Sequence, residues 1–472
     1  MGNNERLRET LDDIEKRYFL KTPKSKTLHL EASNFLPGGD TRSATHFGPY
    51  PTYLVRGQGC HVYDADGNAY LDLLNNYTQQ ILGHNHPRVN QAIVDQLQHG
   101  TIFGAPHEDQ IKLAELLCQR IPSLDRIRFC NSGTEATMFA IKGARAYTGK
   151  NKIIKIEGMY HGTHDLVEVS IFPPLSQAGD PQCPNLVPYN SGIPANIFQN
   201  ILVVPLNNPQ ALEKTIRQNK DDLAAVIMEP VMTAAGIIPA TQEYLEFVRE
   251  ITRDAGIVLI FDEVVTLRLA TGGAQELYGV TPDMTTIGKF IGGGFPIGAF
   301  GGNEEIMSIF APSEDIFASG VGRVRHSGTF NGHPVIMSAG LATLKELTAE
   351  EISRINSLGD LFREKLNREV FAKLNINARA TGWGSLSYVH YTLNRLNDYR
   401  DARRAAELAG DLPVLVHLEL INNGIWIAER GEIALSIPMT QKEIITAVDA
   451  YKKTFTLIRP AVENDLPQLI RS

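Results

Sequence analysis

The sequence lacks the features that define several large classes of protein. No apolar run reaches the ~18 residues of a membrane-spanning helix, and the N-terminus, MGNNERLRET, is charged from its fifth residue, unlike a secretory leader. The cysteines among the 472 residues are only Cys60, Cys118, Cys130 and Cys183, and they show neither a CxxC pair nor metal-ligand spacing. We therefore expect a cytoplasmic protein with reduced thiols, no metal site and no membrane partner.

Positive charge and nucleotide-binding glycine motifs are also missing. Lys and Arg total 45 against 53 Asp and Glu, and the resulting net charge of -8 argues against binding to nucleic acid. Neither GxGxxG nor GxxxxGK[ST] occurs, so neither a dinucleotide fingerprint nor a P-loop is predicted. What remains is a chain long enough for one large domain and one smaller domain.

The pattern of apolar residues predicts an α/β protein. YLVRGQGCHVYDADGNAYLDL (53–73) alternates apolar and polar residues around a DADGN turn, which indicates antiparallel strands. From about residue 108, helical stretches alternate with the apolar runs RIRFC, KIIKI, ILVVPL, AAVIMEP and IVLIFDEV, which is typical of a mostly parallel sheet wrapped by helices. We expect a large domain over 76–340, and a smaller α+β domain built from both chain ends, 1–75 and 341–472.

The stretch TTIGKFIGGGFPIGAFGG (285–302) contains a single charged residue, Lys289. It can be read as an exposed loop whose lysine lies in water. Alternatively, apolar surroundings lower the pKa of the lysine amine by desolvation and suit it to Schiff-base chemistry.

Two further stretches decide between these interpretations. IVLIFDEVVT ends an apolar run at Asp262, which is either a helix cap or a ligand group at the carboxyl end of a strand. NSGTEA (131–136) places Ser132, Gly133 and Thr134 where a helix begins; Ser132 and Glu135 fit a capping box, and such a helix start also binds phosphate. An amine, a carboxylate that can pair with a pyridinium nitrogen and a phosphate site together indicate pyridoxal 5′-phosphate (PLP).

Several motifs carry a resemblance to a known family. They are NSGTEA, MYHG (159–162), MEP (228–230), FDEVVT (261–266), GK (288–289) with GGGFPIGAFGG (292–302), and SGTFNGHP (327–334). With these motifs the chain resembles the class III, or ω-, aminotransferases of PLP fold type I over roughly residues 33–445. The resemblance implies an α/β fold with a large domain around a mostly parallel, seven-stranded-type sheet and a smaller α+β domain.

The resemblance also implies roles for the matching residues. Lys289 and Asp262 would be catalytic: Lys289 forms the aldimine and moves the proton between Cα and C4′, and Asp262 pairs with the pyridinium nitrogen. The other cofactor-binding residues would be Ser132, Gly133 and Thr134 at the phosphate, Tyr160 and Val264 on the two ring faces, His161 and Glu229 near the ring substituents, and Thr329, which reaches the phosphate from the neighbouring subunit of a homodimer.

Three residues outside these motifs are implied to bind substrate. LPGGDTRSATHFGPYP (36–51) resembles a loop of the glutamate-1-semialdehyde aminomutase-like branch, especially its β-amino-acid aminotransferases, in which the arginine at the position of Arg42 binds the carboxylate. YTQQILGH (77–84) also resembles that branch, which places Tyr77 and Thr78 near the substrate. AERGEIALSIPMT (428–440) makes Arg430 a mobile arginine for the carboxylate of the keto acid. Either arginine could instead be an ordinary surface residue.

The sequence therefore predicts a PLP-dependent transaminase that moves an amino group from a β-amino acid, aromatic ones included, to 2-oxoglutarate or pyruvate. Glutamate-1-semialdehyde 2,1-aminomutase or amino-acid racemase chemistry on the same site is the alternative. It comes second because GGDTRS differs from the PGGVNSPVR usual in the aminomutase. The segment SIFPPLSQAGDPQCPN (170–185) has no obvious counterpart in ordinary ω-aminotransferases and is a candidate lid.

Overall fold

The structure, a computed structural model, describes residues 5–312 and 324–471. The chain divides into two compact units. The first contains the residues up to His86, Arg354–Arg395 and those from Arg404 onward; the second contains Pro87–Ser353 and Leu396–Arg403. Within the described ranges, no helix is long and apolar enough to span a membrane.

The helices bury apolar stripes against the sheets or against each other. In chain order they are Glu5–Lys21, Pro23–Ala32, Pro87–His99, Glu108–Arg120, Gly133–Thr148, Pro209–Asn219, Gln242–Asp254, Ala274–Tyr278, Glu304–Met307, Pro334–Glu346, Ala349–Lys365, Tyr399–Ala409, Leu412–Asn422 and Gln441–Asp465. The first two of them make the polar N-terminal segment helical.

The second unit is organised around a seven-stranded sheet. Its strands, in spatial order, are Arg126–Cys130, Gly298–Gly302, Met284–Gly288, Val258–Asp262, Leu223–Met228, Lys152–Ile156 and Ile201–Val204. Only Gly298–Gly302 runs antiparallel to its two neighbours. The central strands Leu223–Met228 and Val258–Asp262 are buried at every residue, since helices cover both faces of such a sheet. The apolar runs thus form the mostly parallel sheet that the sequence predicts. Two short hairpins, Val231–Met232 with Ile238–Pro239 and Gly179–Asp180 with Cys183–Pro184, complete the unit's strands.

Two strands of this sheet come from the glycine-rich stretch around Lys289. Met284–Gly288 and Gly298–Gly302 pair antiparallel along their whole length. A side chain at Gly298 would place its Cβ 2.0 Å from the Ser132 carbonyl oxygen, so only glycine allows this strand to approach the start of the helix Gly133–Thr148. Both ends of the stretch are therefore strands of the sheet, and Lys289 lies in the turn that connects them.

The first unit contains two smaller sheets. Leu54–Gln58, His61–Asp64 and Ala69–Asp72 form the antiparallel meander that the alternating pattern predicts, and Ile425–Trp426 joins it parallel to Ala69–Asp72. Arg379–Trp383, Leu386–His390 and Glu432–Ala434 form the second sheet. An apolar core that includes Ile14, Leu73, Phe362 and Phe455, all fully buried, joins the segments of this unit.

Candidate active site

Four parallel strands of the second unit end at one edge of the sheet, because Met284–Gly288, Val258–Asp262, Leu223–Met228 and Lys152–Ile156 are paired in that order. The predicted site residues at these ends, in the same order, are Lys289, Asp262, Glu229 and, after a short link, Tyr160 with His161. The carboxyl edge of such a sheet is the usual ligand-binding edge of α/β proteins.

Asp262 is buried and held by three donors. Its Oδ2 accepts a hydrogen bond from His161 Nδ1 at 2.8 Å, and its Oδ1 accepts from the Val264 N–H and the Thr286 hydroxyl, both at 3.1 Å. A carboxylate only accepts hydrogen bonds, so the proton of His161 lies on Nδ1. Burial lowers the pKa of His161, and the hydrogen bond and charge of Asp262 oppose that change. These hydrogen bonds fix the orientation of the Asp262 carboxylate.

Glu229 and Lys155 are buried titratable groups near this pair. Glu229 accepts hydrogen bonds from the Thr233 hydroxyl and the Tyr160 N–H. Burial and the negative charge of Asp262 raise the pKa of Glu229 to about 8. Lys155 donates from Nζ to the Val169 carbonyl at 2.6 Å, and burial lowers its pKa to about 7. Sequence reasoning missed Lys155, although a lysine inside the apolar run KIIKI was a visible signal.

The helix Gly133–Thr148 begins at the end of strand Arg126–Cys130. Ser132 caps it, its Oγ accepting from the Glu135 N–H at 3.1 Å, while Glu135 accepts from the Asn131 N–H at 2.9 Å. Because the first N–H groups of a helix have no partner within it, those of Gly133 and Thr134 remain for a ligand at the positive end of the helix dipole. The capping and phosphate-binding interpretations of NSGTEA are therefore compatible.

Close approaches of glycines shape the space beside this helix start. A Cβ at Gly133 would lie 3.3 Å from both methyl carbons of Val264, and one at Gly162 would lie 2.6 Å from the Thr134 hydroxyl oxygen. The Nε2 of His161 is buried without a hydrogen-bond partner among the described residues. A helix start for a phosphate, an oriented carboxylate for a ring nitrogen and a lysine at the next strand end are the groups that PLP requires, so the residues present fit this cofactor.

Lys289 is the first residue after strand Met284–Gly288 and has a φ of +57°. A left-handed backbone is unfavourable for a residue other than glycine, and such strain is concentrated at functional sites. The side chain is only partly buried. Lys289 is therefore held at the sheet edge by the strand before it and the tight turn Lys289–Gly292 after it.

Thr329 lies exposed in the turn that precedes the helix Pro334–Glu346. Two residues later, Asn331 accepts a hydrogen bond from the Asn131 amide at 2.9 Å, which ties this turn to the start of the helix Gly133–Thr148 in the same chain. Sequence reasoning singled out neither asparagine. The role of Thr329 across a subunit interface stays a prediction.

The segment 170–185 is anchored within the second unit by two residues of Leu396–Arg403. Tyr399 donates its hydroxyl hydrogen to the Pro173 carbonyl at 2.7 Å. The buried Arg400 binds both carboxylate oxygens of Glu157, at 2.8 and 3.1 Å, and also donates to the carbonyls of Ala178 and Gly179. Glu157 opens the short link to Tyr160 and His161, so the same guanidinium holds the segment 170–185 and this link.

The predicted substrate residues come together within the first unit. The guanidinium carbons of Arg42 and Arg430 lie 5.3 and 5.5 Å from the centre of the Tyr77 ring. Arg430 also forms an ion pair with Glu432 at 2.8 Å, and Arg42 donates to the Asn76 side-chain oxygen at 2.8 Å. Neither Glu432 nor Asn76 was singled out from the sequence.

The fold of the second unit and the residues at its sheet edge are those of a PLP enzyme of known architecture. The chain belongs to the class-III aminotransferase family, whose model, described as Aminotransferase class-III, matches residues 43–446. It is a PLP-dependent enzyme with the type I fold, so the family, fold and cofactor predicted from the sequence are confirmed.

Individual relatives carry different names. A protein named glutamate-1-semialdehyde 2,1-aminomutase from Methanosphaera stadtmanae is 40% identical over 410 residues, 87% of this chain and 92% of its own. The crystal structure of an omega-transaminase from Sphaerobacter thermophilus shares 43% identity and a TM-score of 0.87, covering 92% of this chain and 98% of that one. A β-phenylalanine aminotransferase from Variovorax paradoxus shares 32% identity and a TM-score of 0.84, over 96% and 98%.

Proposed function

We propose that this chain is a transaminase whose amino donor is a β-amino acid and whose acceptor is a keto acid such as 2-oxoglutarate or pyruvate. The observation that carries the proposal is the pair of guanidiniums, Arg42 and Arg430, against the single ring of Tyr77. Arginine binds carboxylates through two parallel hydrogen bonds. Two such groups suit an enzyme that accepts two carboxylate substrates in turn.

Within the second unit we propose roles that follow from the contacts. When bound, PLP supplies an electrophilic carbonyl carbon and a ring that withdraws electrons from the reacting carbon. Asp262, oriented by His161, accepts the hydrogen bond of the ring nitrogen. Lys289 holds and moves the proton at its Nζ. The remaining contacts would come from Ser132, Gly133 and Thr134 at the phosphate, Tyr160 and Val264 on the ring faces, Glu229 at the ring edge, and Thr329 of a second copy.

The isomerase alternative is the second candidate. The observation that favours it is the name of the relatives that are about 40% identical over most of this chain, glutamate-1-semialdehyde 2,1-aminomutase. These relatives support the aminomutase more strongly than the 32% identical β-phenylalanine aminotransferase supports the β-amino-acid donor. Two observations keep the transaminase first: the sequence GGDTRS around Arg42 and the 43% identical omega-transaminase. We also propose that the protein forms a homodimer and is located in the cytoplasm.

A half-reaction separates the two candidates. The holoenzyme is mixed with α-, β- and ω-amino acids in both enantiomers, without a keto acid, and the cofactor absorbance is followed. We expect a β-amino acid to convert the cofactor to its pyridoxamine form and 2-oxoglutarate to restore it, because a transaminase works in two halves. Isomerisation of glutamate-1-semialdehyde with no external keto acid would establish the aminomutase. If no β-amino acid changed the cofactor absorbance, the β-amino-acid transaminase would be excluded.

The same measurement tests the arginines. Arg42→Ala should raise the donor KM while PLP stays bound, since the guanidinium is assigned to the substrate and not to the cofactor. Arg430→Ala should impair the dicarboxylate 2-oxoglutarate more than the monocarboxylate pyruvate. Equal losses with both acceptors would make Arg430 structural.

A further inference from the structure

The first unit contains a left-handed turn at Asn75–Thr78. The φ angles of its four residues are +51°, +48°, +56° and +75°. Left-handed helical backbone costs roughly 1–2 kcal/mol per L-residue, and residues other than glycine adopt it singly rather than in series. Asparagine tolerates this conformation, but Tyr77 and Thr78 gain nothing from it locally. Contacts elsewhere must therefore hold the turn.

Those contacts begin at the buried carboxylate of Asp72. Its Oδ1 accepts hydrogen bonds from the Leu74 and Asn75 N–H groups at 2.9 and 2.8 Å. The Asn75 side chain donates to the Ala434 carbonyl at 2.5 Å, in the strand that follows Arg430. The turn is thus fixed at its start to one strand of each of the two sheets in this unit.

The exposed side of the turn carries the residues that meet the arginines. Asn76 accepts from Arg42 Nη1 at 2.8 Å, and Tyr77 donates its hydroxyl hydrogen to the Ala44 carbonyl in the Arg42 loop. The Tyr77 ring lies beside both guanidiniums, within the range of cation–π attraction. A right-handed turn would direct these consecutive side chains differently.

We propose that the left-handed turn Asn75–Thr78 is a positioning device for carboxylate recognition, with Asn76 as the residue that orients Arg42 and Tyr77 as a ring shared by both arginines. Asn76 adds no negative charge beside Arg42, because an amide oxygen accepts a hydrogen bond without carrying a charge. Asp40 in the same loop is a carboxylate that does interact with the Arg42 charge, and its Oδ1 accepts from the Arg42 N–H at 3.2 Å. Arg42 is therefore directed and still attractive to an anionic group. The inference rests on the proposed function in that the anion is taken to be the donor's carboxylate.

The test compares two variants that both tolerate a positive φ. Asn76→Gly removes the acceptor, and we expect the donor KM to rise about tenfold, the effect of one hydrogen bond to a charged group. Asn76→Asp keeps the size and the acceptor but neutralises Arg42, and we expect a larger rise than in the glycine variant. A merely structural asparagine would give the opposite order, since aspartate is the closer match in shape.

A matched control exists in the same unit. Asn375 also has a positive φ, +53°, and its carbonyl accepts from the Arg471 N–H. Asn375→Gly and Asn375→Asp should leave the donor KM unchanged. Tyr77→Leu should weaken both donor and 2-oxoglutarate, whereas Tyr77→Phe, which retains the ring, should keep more of both affinities.

Binding of benzoate and glutarate to the holoenzyme, measured by calorimetry, separates this inference from the proposed function. If no β-amino acid reacts but benzoate affinity still falls in the order wild type, Asn76→Gly, Asn76→Asp, the turn positions an anion site and the donor assignment alone is wrong. If β-amino acids react and Asn76→Asp binds donor and benzoate as well as wild type, the positioning role is overturned.

Discussion

The burial of one residue, Lys155, makes the stability of the folded protein depend on pH. Its side chain is fully buried in a central strand, and its pKa is lowered to about 7 from an ordinary value near 10.5. Between these values the unfolded chain binds a proton that the folded chain does not. The contribution of Lys155 to stability therefore rises with pH across this window. Glu229 acts oppositely, but only up to its own pKa of about 8.

From pH 8 to 10 Glu229 no longer opposes Lys155, so this window suits a comparison with a variant that lacks Lys155. Lys155→Met removes the titrating group. We expect the melting temperature of wild type, relative to that of the variant, to rise steadily from pH 8 to pH 10. The full effect is on the order of a few kcal/mol, since one pKa unit corresponds to about 1.4 kcal/mol. Differential scanning fluorimetry of both holoenzymes measures it. Lys152→Met in the same strand is the control, and a pH-independent difference for Lys155→Met would contradict the expectation.

At the scale of elements, the Arg400–Glu157 pair connects two segments that sequence patterns treat as unrelated. Removing Arg400 leaves the Glu157 carboxylate buried without its partner, which typically costs about 3–5 kcal/mol. The link from Glu157 to Tyr160 and His161 loses its fixed end. We expect Arg400→Met to lower both the melting temperature and the affinity for PLP.

Titration of PLP into the apoenzyme, with circular dichroism of the cofactor band, measures this effect. Adding Glu157→Gln to Arg400→Met should recover part of the stability, because no charge then remains buried alone. The exposed Arg395→Met serves as the control. Unchanged cofactor affinity in Arg400→Met would mean that Arg400 supports only the segment 170–185.

These elements also show what the sequence could predict. Runs such as KIIKI and IVLIFDEV were recognisable as strands because central parallel strands are continuously apolar. Gly298–Gly302 was not, since three of its five residues are glycine, a poor strand former, and at Gly298 the glycine is required by the close approach to Ser132. Composition alone could not distinguish that approach from a loop.

The residues of the site also fall into those that the sequence could nominate and those that it could not. Lys289, Asp262 and the Ser132–Thr134 turn stand in local motifs, so the sequence could nominate them, and their individual roles stay predictions. Asn76 and Arg400 act through contacts with residues far away in the chain, Arg42 and Glu157. Periodicity and local motifs carry no information about such contacts. No sequence pattern predicted the four successive left-handed residues at Asn75–Thr78 either.

At the scale of the whole molecule, the proposed homodimer can be tested through Thr329. Lys289→Ala and Thr329→Ala proteins are each expected to be impaired, the first completely and the second through weaker PLP binding. If Thr329 serves the neighbouring subunit, a mixed dimer contains one site with both native residues. Co-expression with two different tags and purification of the mixed species should then restore about half of the wild-type activity per dimer. Activity no higher than that of Thr329→Ala would place Thr329 in its own subunit's site.

The division of the chain between its two units has a consequence for biosynthesis. The polypeptide passes between them after His86, Ser353, Arg395 and Arg403. Strand Ala69–Asp72 takes its parallel neighbour from Ile425–Trp426, about 350 residues later. At ribosomal speeds of 5–20 residues per second, this edge waits roughly 20–70 s for its partner. The nascent chain therefore exposes an incomplete first unit throughout synthesis of the second. A truncation that removes Ile425–Trp426 should send the product to chaperones and proteases, because one edge of strand Ala69–Asp72 then stays unpaired.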